Sequence, residues 1–329
     1  MVWALILCLI LGGCAVAPDS LQVTEPENYA TVENETQPPE TTQPEETEEP
    51  EQTDPPETQP VVMPSSSSFE VRFLDVGQAD AALILCDGKT MLIDGGNSED
   101  SNLIYSYLHK QGITYLDYII ATHGHEDHVG GLSGALNYAG VGTVYSPVTS
   151  YNSKAFRNFS SNVQKKGKEI TIPQVGDKFN LGNAECTVLA VNDGKDDSDA
   201  NNTSIVVRIV YGNTSFLFTG DAEREVEQIM LNRGENVSAT VLKVGHHGSY
   251  TSTSYQFLWN VMPQYAVISC GKDNSYGHPH NETLSRLYDA NVTLFRTDLQ
   301  GDIICTSDGN AVKFSVSRNA NADVYDDLD

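Results

Sequence analysis

No Lys or Arg occurs before Arg72, no two cysteines form a C-x-x-C pair, and no apolar run is long enough to cross a bilayer. Each absence excludes something. With 45 acidic against 19 basic residues the formal net charge is −26, which argues against tight, sequence-indifferent attachment to a nucleic-acid backbone at physiological salt. Four cysteines in the body of the chain, Cys86, Cys186, Cys270 and Cys305, each end or interrupt an apolar run. They read as packed thiols rather than as a zinc cluster. If the domain lies outside the cell, a disulfide among them stays open. Residues 1–13 are apolar, but a helix needs about 20 such residues to span roughly 30 Å of hydrocarbon.

The charge is unevenly spread. Between Cys14 and Ser68 there are 13 acids and no base, and residues 319–329 hold four more acids, which leaves 28 acids and all 19 bases, a net charge of −9, in residues 69–318. The first thirteen residues end in Leu11-Gly12-Gly13, directly ahead of Cys14. This resembles the lipobox of a bacterial lipoprotein signal, so residues 1–13 are expected to be a signal peptide, with Cys14 lipidated and the chain held at the outer face of a bacterial membrane. Thr, Glu, Pro and Gln dominate residues 24–60 without hydrophobic periodicity. Such a segment cannot repay its ordering entropy, so residues 14–68 are expected to be a linker. At about 3.1 Å per residue its reach approaches roughly 150 Å, enough for a Gram-positive wall. Nothing in the sequence indicates a protein partner.

From Phe69 to Arg318 short β-branched runs alternate with amphipathic segments. Strands are expected at 71–74, 82–85, 90–93, 118–121 and 143–145, and again at 187–190, 205–210, 216–218, 240–244, 266–269, 293–295, 303–305 and 312–316. Helices are expected at 102–110, 223–231 and 282–288. Two blocks of strands, each with covering helices, predict an α+β fold of two sheets face to face with helices outside, followed by an acidic tail at 319–329.

The polar turns after Ile93, Ala121, Thr219 and Val244 hold most of the Asp and His residues. The densest run is His123-Gly124-His125-Glu126-Asp127-His128. Leaving a strand, His123 and His125 share one side and can grip one cation, while Asp127 and His128, beyond the turn at Gly124, can reach a second.

Followed by Gly130-Gly131, this run resembles the H-x-H-x-D-H signature of the metallo-β-lactamase superfamily. That resemblance implies an αββα sandwich and a hydrolase that activates water on two divalent metal ions, zinc or manganese. It implies that Asp94 in Leu92-Ile93-Asp94-Gly95-Gly96 orients a ligating histidine, that Asp221 bridges two metals, and that His246 is the last histidine ligand. Phe73-Leu74-Asp75-Val76-Gly77-Gln78-Ala79-Asp80, Asn201-Asn202-Thr203-Ser204, Leu242-Lys243-Val244-Gly245-His246-His247-Gly248-Ser249 and Tyr276-Gly277-His278-Pro279-His280 resemble, more narrowly, the soluble hydrolase domain of the ComEC-type competence DNA-uptake proteins. Ala79 departs from the Gly usual there.

The superfamily pattern requires a third histidine for the first metal, yet none lies between His128 and His246. Its place falls near Asp199 to Asn202, so Asn202 or a neighbouring carboxylate is expected to substitute. More oxygen donors would favour Mn²⁺ over Zn²⁺, or weaken that position. The ligands expected are therefore His123, His125, Asp127, His128, Asp221 and His246. Asp127, His247 and His278 are expected to act on protons at the reaction centre, and Lys243 and Ser249 at a substrate phosphate. The activity expected is hydrolysis of a phosphodiester, in DNA or a smaller nucleotide. Alternatives are cleavage of a lactam, lactone or thioester, or metal-dependent binding without catalysis. Lys154, Arg157, Lys165, Lys166 and Lys168 could follow a phosphate backbone, but Phe156, Phe159 and Val163 fall at helical spacing and predict an inward face.

Overall fold

The computed structural model describes residues 68–194, 199–326 and 328. The expected signal peptide, the lipidation site Cys14 and the linker through residue 67 lie outside them. No helix among the described residues is long and apolar enough to cross a membrane.

In chain order the strands are β1 (Phe69–Phe73), β2 (Ala82–Cys86), β3 (Lys89–Ile93), β4 (Tyr115–Ile120), β5 (Gly140–Tyr145), β6 (Ile170–Thr171), β7 (Lys178–Leu181), β8 (Ala184–Ala190), β9 (Val206–Tyr211), β10 (Thr214–Phe218), β11 (Val241–Lys243), β12 (Tyr265–Ile268), β13 (Thr293–Arg296), β14 (Ile303–Ser307) and β15 (Val312–Val316). The helices are α1 (Ser101–Lys110), α2 (Glu126–Val129), α3 (Leu132–Tyr138), α4 (Lys154–Lys165), α5 (Arg224–Arg233), α6 (Tyr255–Val261), α7 (Asn281–Asp289) and α8 (Thr297–Gln300).

The strands form two sheets, ordered β15-β14-β1-β2-β3-β4-β5-β6 and β13-β12-β11-β10-β9-β8-β7. Each is mixed: β3 to β6 run parallel in the first and β10 to β13 in the second. Strand β2 shows how the layers arise. All five residues of Ala82–Cys86 are buried because side chains alternate between two covered faces. Ala82, Ile84 and Cys86 face the second sheet, where Phe69, Phe73, Met91, Phe216 and Phe218 fill the gap. Leu83 and Leu85 point the other way, into a layer with Ile104, Leu108, Leu132, Phe156 and Phe159 from α1, α3 and α4. A matching layer covers the second sheet with Val226, Met230, Phe257, Leu258, Leu284 and Leu287 from α5, α6 and α7. The expected α+β sandwich with outer helices is the observed architecture.

Helices α2, α3, α6 and α8 and strands β6 and β7 add to the expected elements, and Ser153 Oγ caps α4 by accepting from the Phe156 N–H at 3.1 Å. Helix α4 buries Phe156, Phe159 and Val163, so its aromatic rings belong to the core and only its polar face is open. The four cysteines are buried free thiols. The acidic end also packs down: Val324, Tyr325 and Leu328 lie on the helical layer of the second sheet, and the Tyr325 hydroxyl donates to the Val292 carbonyl at 2.9 Å.

Candidate metal centre

Loops at the C-terminal ends of the parallel strands β3, β4, β10, β11 and β12 carry the chemistry, the usual placement for a site on a rigid sheet. After β3, Asp94 has a left-handed backbone, φ 56°. Its carboxylate accepts from the Thr122 N–H and hydroxyl, each at 2.8 Å, and from His128 Nδ1 at 2.8 Å. With Nδ1 donating there, His128 Nε2 is turned inward, where it is buried without a hydrogen-bond partner. The glycines nearby are there for contact: a Cβ on Gly131 would stand 1.8 Å from the Gly95 carbonyl oxygen, so the loops carrying Asp94 and His128 meet backbone to backbone.

Beyond β4 the chain bends through His123, Gly124 and His125, then α2 begins and carries Asp127 and His128 back to the cluster. His123 Nε2 lies 3.0 Å from His125 Nδ1. Four imidazole nitrogens converge on one carboxylate oxygen after β10: Asp221 Oδ2 lies 3.3 Å from His128 Nε2, 3.7 Å from His247 Nε2, 3.8 Å from His246 Nε2 and 3.9 Å from His123 Nε2. Asp221 Oδ1 is buried and unpartnered.

The loop after β11 decides which of two adjacent histidines points inward. His246 and His247 both adopt left-handed backbones, φ 50° and φ 54°, a strained run for residues with side chains. Glu227 holds it by accepting from the Thr253 and Ser254 N–H groups, and Arg286 by donating to the Ser252, Thr253 and Tyr250 carbonyls. His247 is buried; its Nδ1 donates to the Ser269 carbonyl at 3.0 Å, and its Nε2 sits 3.2 Å from Asp127 Oδ2. Asp127, His128, Asp221 and His247 thereby present atoms within 4.8 Å of one another. The geometry puts His247 in this group, where His246 was expected. His246 stands at the rim, its Nδ1 3.2 Å from Glu223 Oε1.

Three further expectations meet a different arrangement. Lys243 is buried, donating to Asp80 Oδ2 at 2.8 Å and to the Val244 carbonyl, so it is committed to an internal ion pair and cannot meet a substrate phosphate. Ser249 is buried and holds its own loop through Thr251. Asn202 donates its amide nitrogen to Asp199 Oδ2 and accepts with its oxygen from the Glu223 N–H, at 2.9 and 3.0 Å, so both ends of its amide are already engaged.

His278 does line the central cavity of about 330 Å³, with His125, Asp127, Asp221, His246 and His247. Gln78 Oε1 accepts from the Gly271 N–H at 3.0 Å, which turns its Nε2 donor onto His278 Nδ1 at 3.2 Å. His278 therefore carries its own hydrogen on Nε2. Burial, reinforced by the charges of His247 and His246, pushes it down to about 4. It is a neutral donor rather than a proton carrier at neutral pH.

The model of the metallo-beta-lactamase superfamily matches residues 74–272. The chain belongs to this superfamily. It is 31% identical over 256 residues to ComE operon protein 3 of Bacillus subtilis (strain 168), covering 72% of this chain and 33% of that one. It is 32% identical over 245 residues to Recombination protein 2 of Haemophilus influenzae, covering 73% and 29%. The chain thus spans about a third of the length of the curated relatives it matches, which are ComEC-type competence proteins. Among solved structures, the metallo-beta-lactamase fold protein YhfI from Bacillus subtilis superposes with a TM-score of 0.47 at 13% identity, over 75% of this chain and 100% of that one.

Superfamily members hold divalent cations, and the residues here fit such ions: two buried polar atoms, His128 Nε2 and Asp221 Oδ1, have no hydrogen-bond partner, among imidazole and carboxylate donors suited to a divalent ion. Sequence reading passed over Thr122, Gln78, Asp80 and Glu223. Of these, Gln78 and Asp80 lay in a segment noted only for its resemblance, with no chemistry of their own to mark them.

Electrostatics give this centre a pH dependence. Burial opposes charge on His247, but Asp221 and Asp80 outweigh it and push it up to about 10; His128 is likewise held well above an ordinary imidazole by Asp221 and Asp94. Despite burial, the nearby His128 and His247 lower Asp127 to about 2. In the metal-free protein the His247 contribution to stability is complete below about 6.5 and is lost as pH rises toward about 10. That of Asp127 is present above 3.8 and lost as pH falls through about 2. Cations must displace the two imidazole protons. Calorimetry of Mn²⁺ binding at pH 7.5, in buffers of different ionisation enthalpy, should show about two protons released per chain. The rise in Tm on adding Mn²⁺ should be larger at pH 9 than at pH 6. Zero protons released would contradict the assignment.

Proposed function

We propose that this metallo-hydrolase cleaves phosphodiesters in a small nucleotide or a transiently held DNA strand. The observation that supports this best is the neutral His278, its Nε2–H donor fixed by Gln78 beside the carboxylate and imidazole cluster. His123, His125 and Asp221, and Asp127, His128, Asp221 and His247, would hold two divalent cations. Bound there, such ions lower the pKa of water and neutralise charge on phosphoryl oxygens. The protein supplies the rest. His278 donates to a phosphoryl or leaving oxygen without surrendering its proton. Asp127, whose side chain is 31% exposed against 2% for Asp221, accepts a hydrogen bond from incoming water and orients it. Tyr276, 67% exposed, stacks on His278 with ring centroids 5.6 Å apart and offers a face to a nucleobase. The names of the relatives, which refer to competence and recombination, agree with a nucleic-acid substrate. The net charge of −9 in residues 69–318 favours a small or briefly held one.

Turnover with Mn²⁺ and with Zn²⁺ should be measured on a dinucleotide, a methyl phosphodiester, single-stranded DNA and a β-lactam. The phosphodiesters should be hydrolysed, and Tyr276→Ala should raise KM roughly tenfold for the dinucleotide and leave the methyl diester unchanged. Turnover of the lactam alone would refute the reading. We place the enzyme at the outer membrane face through a lipidated Cys14. Cys14→Ala should then move it from the membrane fraction to the medium or leave an unprocessed precursor; unchanged membrane association would refute the anchor.

A further inference from the structure

The first metal position lacks its third histidine, and the segment that should supply it, Ala200–Thr203, is a single 3-10 turn between β8 and β9. Two neighbours in this turn are already committed. Asp199 caps it by accepting from the Asn201 N–H at 3.1 Å and also receives the Asn202 amide, while Asn202 Oδ1 accepts from the Glu223 N–H. Asn201 is different. Its backbone is pinned at both ends, the N–H by Asp199 and the carbonyl by the Ser204 N–H at 3.1 Å. Its side-chain amide lies beside Glu223 and helps to hold that carboxylate below its ordinary range, after His246 and Thr251. A carboxylate attracts the nitrogen end of an amide, which leaves the oxygen turned away. That oxygen, Oδ1, is buried and has no hydrogen-bond partner, an arrangement with a cost unless something else meets it. Asn201 lines the central cavity together with His125, Asp221 and His246.

We infer that Asn201 Oδ1 takes the place of the missing third histidine at the first metal position, completing a set of four with His123, His125 and Asp221. An amide oxygen is a neutral, hard donor, so this position is built for Mn²⁺ more than for Zn²⁺. Glu223 then positions the ligand by fixing which end of the amide faces inward, as carboxylates commonly do for histidine ligands. The assignment deepens the metal centre on which the proposed activity depends. Its test reads cation binding, so it can fail while phosphodiester turnover stands, and the reverse.

The full chain should be titrated with Mn²⁺ alone and with Zn²⁺ alone, counting bound ions and following the coupled Mn²⁺ pair by electron paramagnetic resonance. The parent should bind two Mn²⁺ per chain. Asn201→Ala should weaken one of them by roughly a hundredfold, abolish the coupled signal and leave the other ion in place. Its metal-free Tm should stay close to the parent's, because Oδ1 has no partner to lose and Glu223 keeps its hydrogen bond from the Thr251 hydroxyl. Asn201→His should bind Zn²⁺ more tightly than the parent does, and Asn201→Asp, nearly the same shape, should hold both Mn²⁺ ions. Should Asn201→Ala fail to fold, the Asp and His variants decide the matter. Two Mn²⁺ held as tightly by Asn201→Ala as by the parent would overturn the assignment, as would loss of the first ion in Asn201→Asp or its removal by His246→Ala alone.

Discussion

His247→Ala should lose the more tightly held cation, and His246→Ala should keep it. The two residues are chain neighbours of identical chemistry, so only geometry separates them. His247 Nε2 lies 3.2 Å from Asp127 Oδ2 and 3.7 Å from Asp221 Oδ2, and its Nδ1 is fixed by the Ser269 carbonyl. His246 turns its Nδ1 to Glu223 and is 22% exposed. A four-ligand structural zinc site is worth on the order of 12 kcal/mol, so one ligand is worth about 3 kcal/mol, or roughly a hundredfold in affinity. Chelator titration with metal counting reads this directly. His247→Ala should weaken the tight step by about that factor and cut turnover by at least as much, since clamping a phosphoryl group between two ions needs both. Equal losses in the two variants, or a larger loss in His246→Ala, would mean that the loop turns its histidines the other way when metal is bound.

Much of this centre was legible because its signals are local. His123 to His128 lie in one short run, and imidazoles with a carboxylate at that density have few uses other than metal binding. The strands flanking it alternate or run continuously apolar, which gave the sandwich, and Asp94 was legible through the resemblance that Leu92-Ile93-Asp94-Gly95-Gly96 carries. What was hidden depends on backbone dihedrals and distant partners. Nothing in Val244-Gly245-His246-His247-Gly248 states that both histidines take left-handed backbones, yet those dihedrals bring the His247 ring to Asp127 while both rings stay near Asp221. Asn201 and Asn202 are the same residue side by side, and only the 3-10 turn decides which amide is consumed by Asp199 and Glu223. The acidic end looked like a tail because its charge is plain, whereas the packing of Val324, Tyr325 and Leu328 depends on a helical layer built elsewhere in the chain.

Lys243 is the sharpest case of a distant partner, and it carries the largest expected effect on stability. In Leu242-Lys243-Val244 it reads as a cation offered at a strand end. In the fold it is 4% exposed and donates to Asp80, itself 5% exposed, at 2.8 Å. Asp80 Oδ1 in turn lies 3.4 Å from His247 Nδ1, so the ion pair backs one of the metal-binding histidines. Lys243→Met should therefore cost about 3–5 kcal/mol, because it strands a buried carboxylate. Urea unfolding of the metal-free protein at pH 7 should show this as a lower midpoint at unchanged slope. Pairing it with Asp80→Asn removes the stranded charge and should recover most of the loss. The double variant should still hold its second-site ion roughly tenfold or more weakly than the parent, since His247 loses the carboxylate behind its ring. Because Lys243 lowers the Asp80 pKa against the opposing effect of burial, the pair's contribution is present above about 3.8 and fades as pH falls below it. A lysine serving substrate phosphate would behave in the opposite way: Lys243→Met would raise KM for phosphodiesters, leave the unfolding midpoint unmoved and gain nothing from Asp80→Asn.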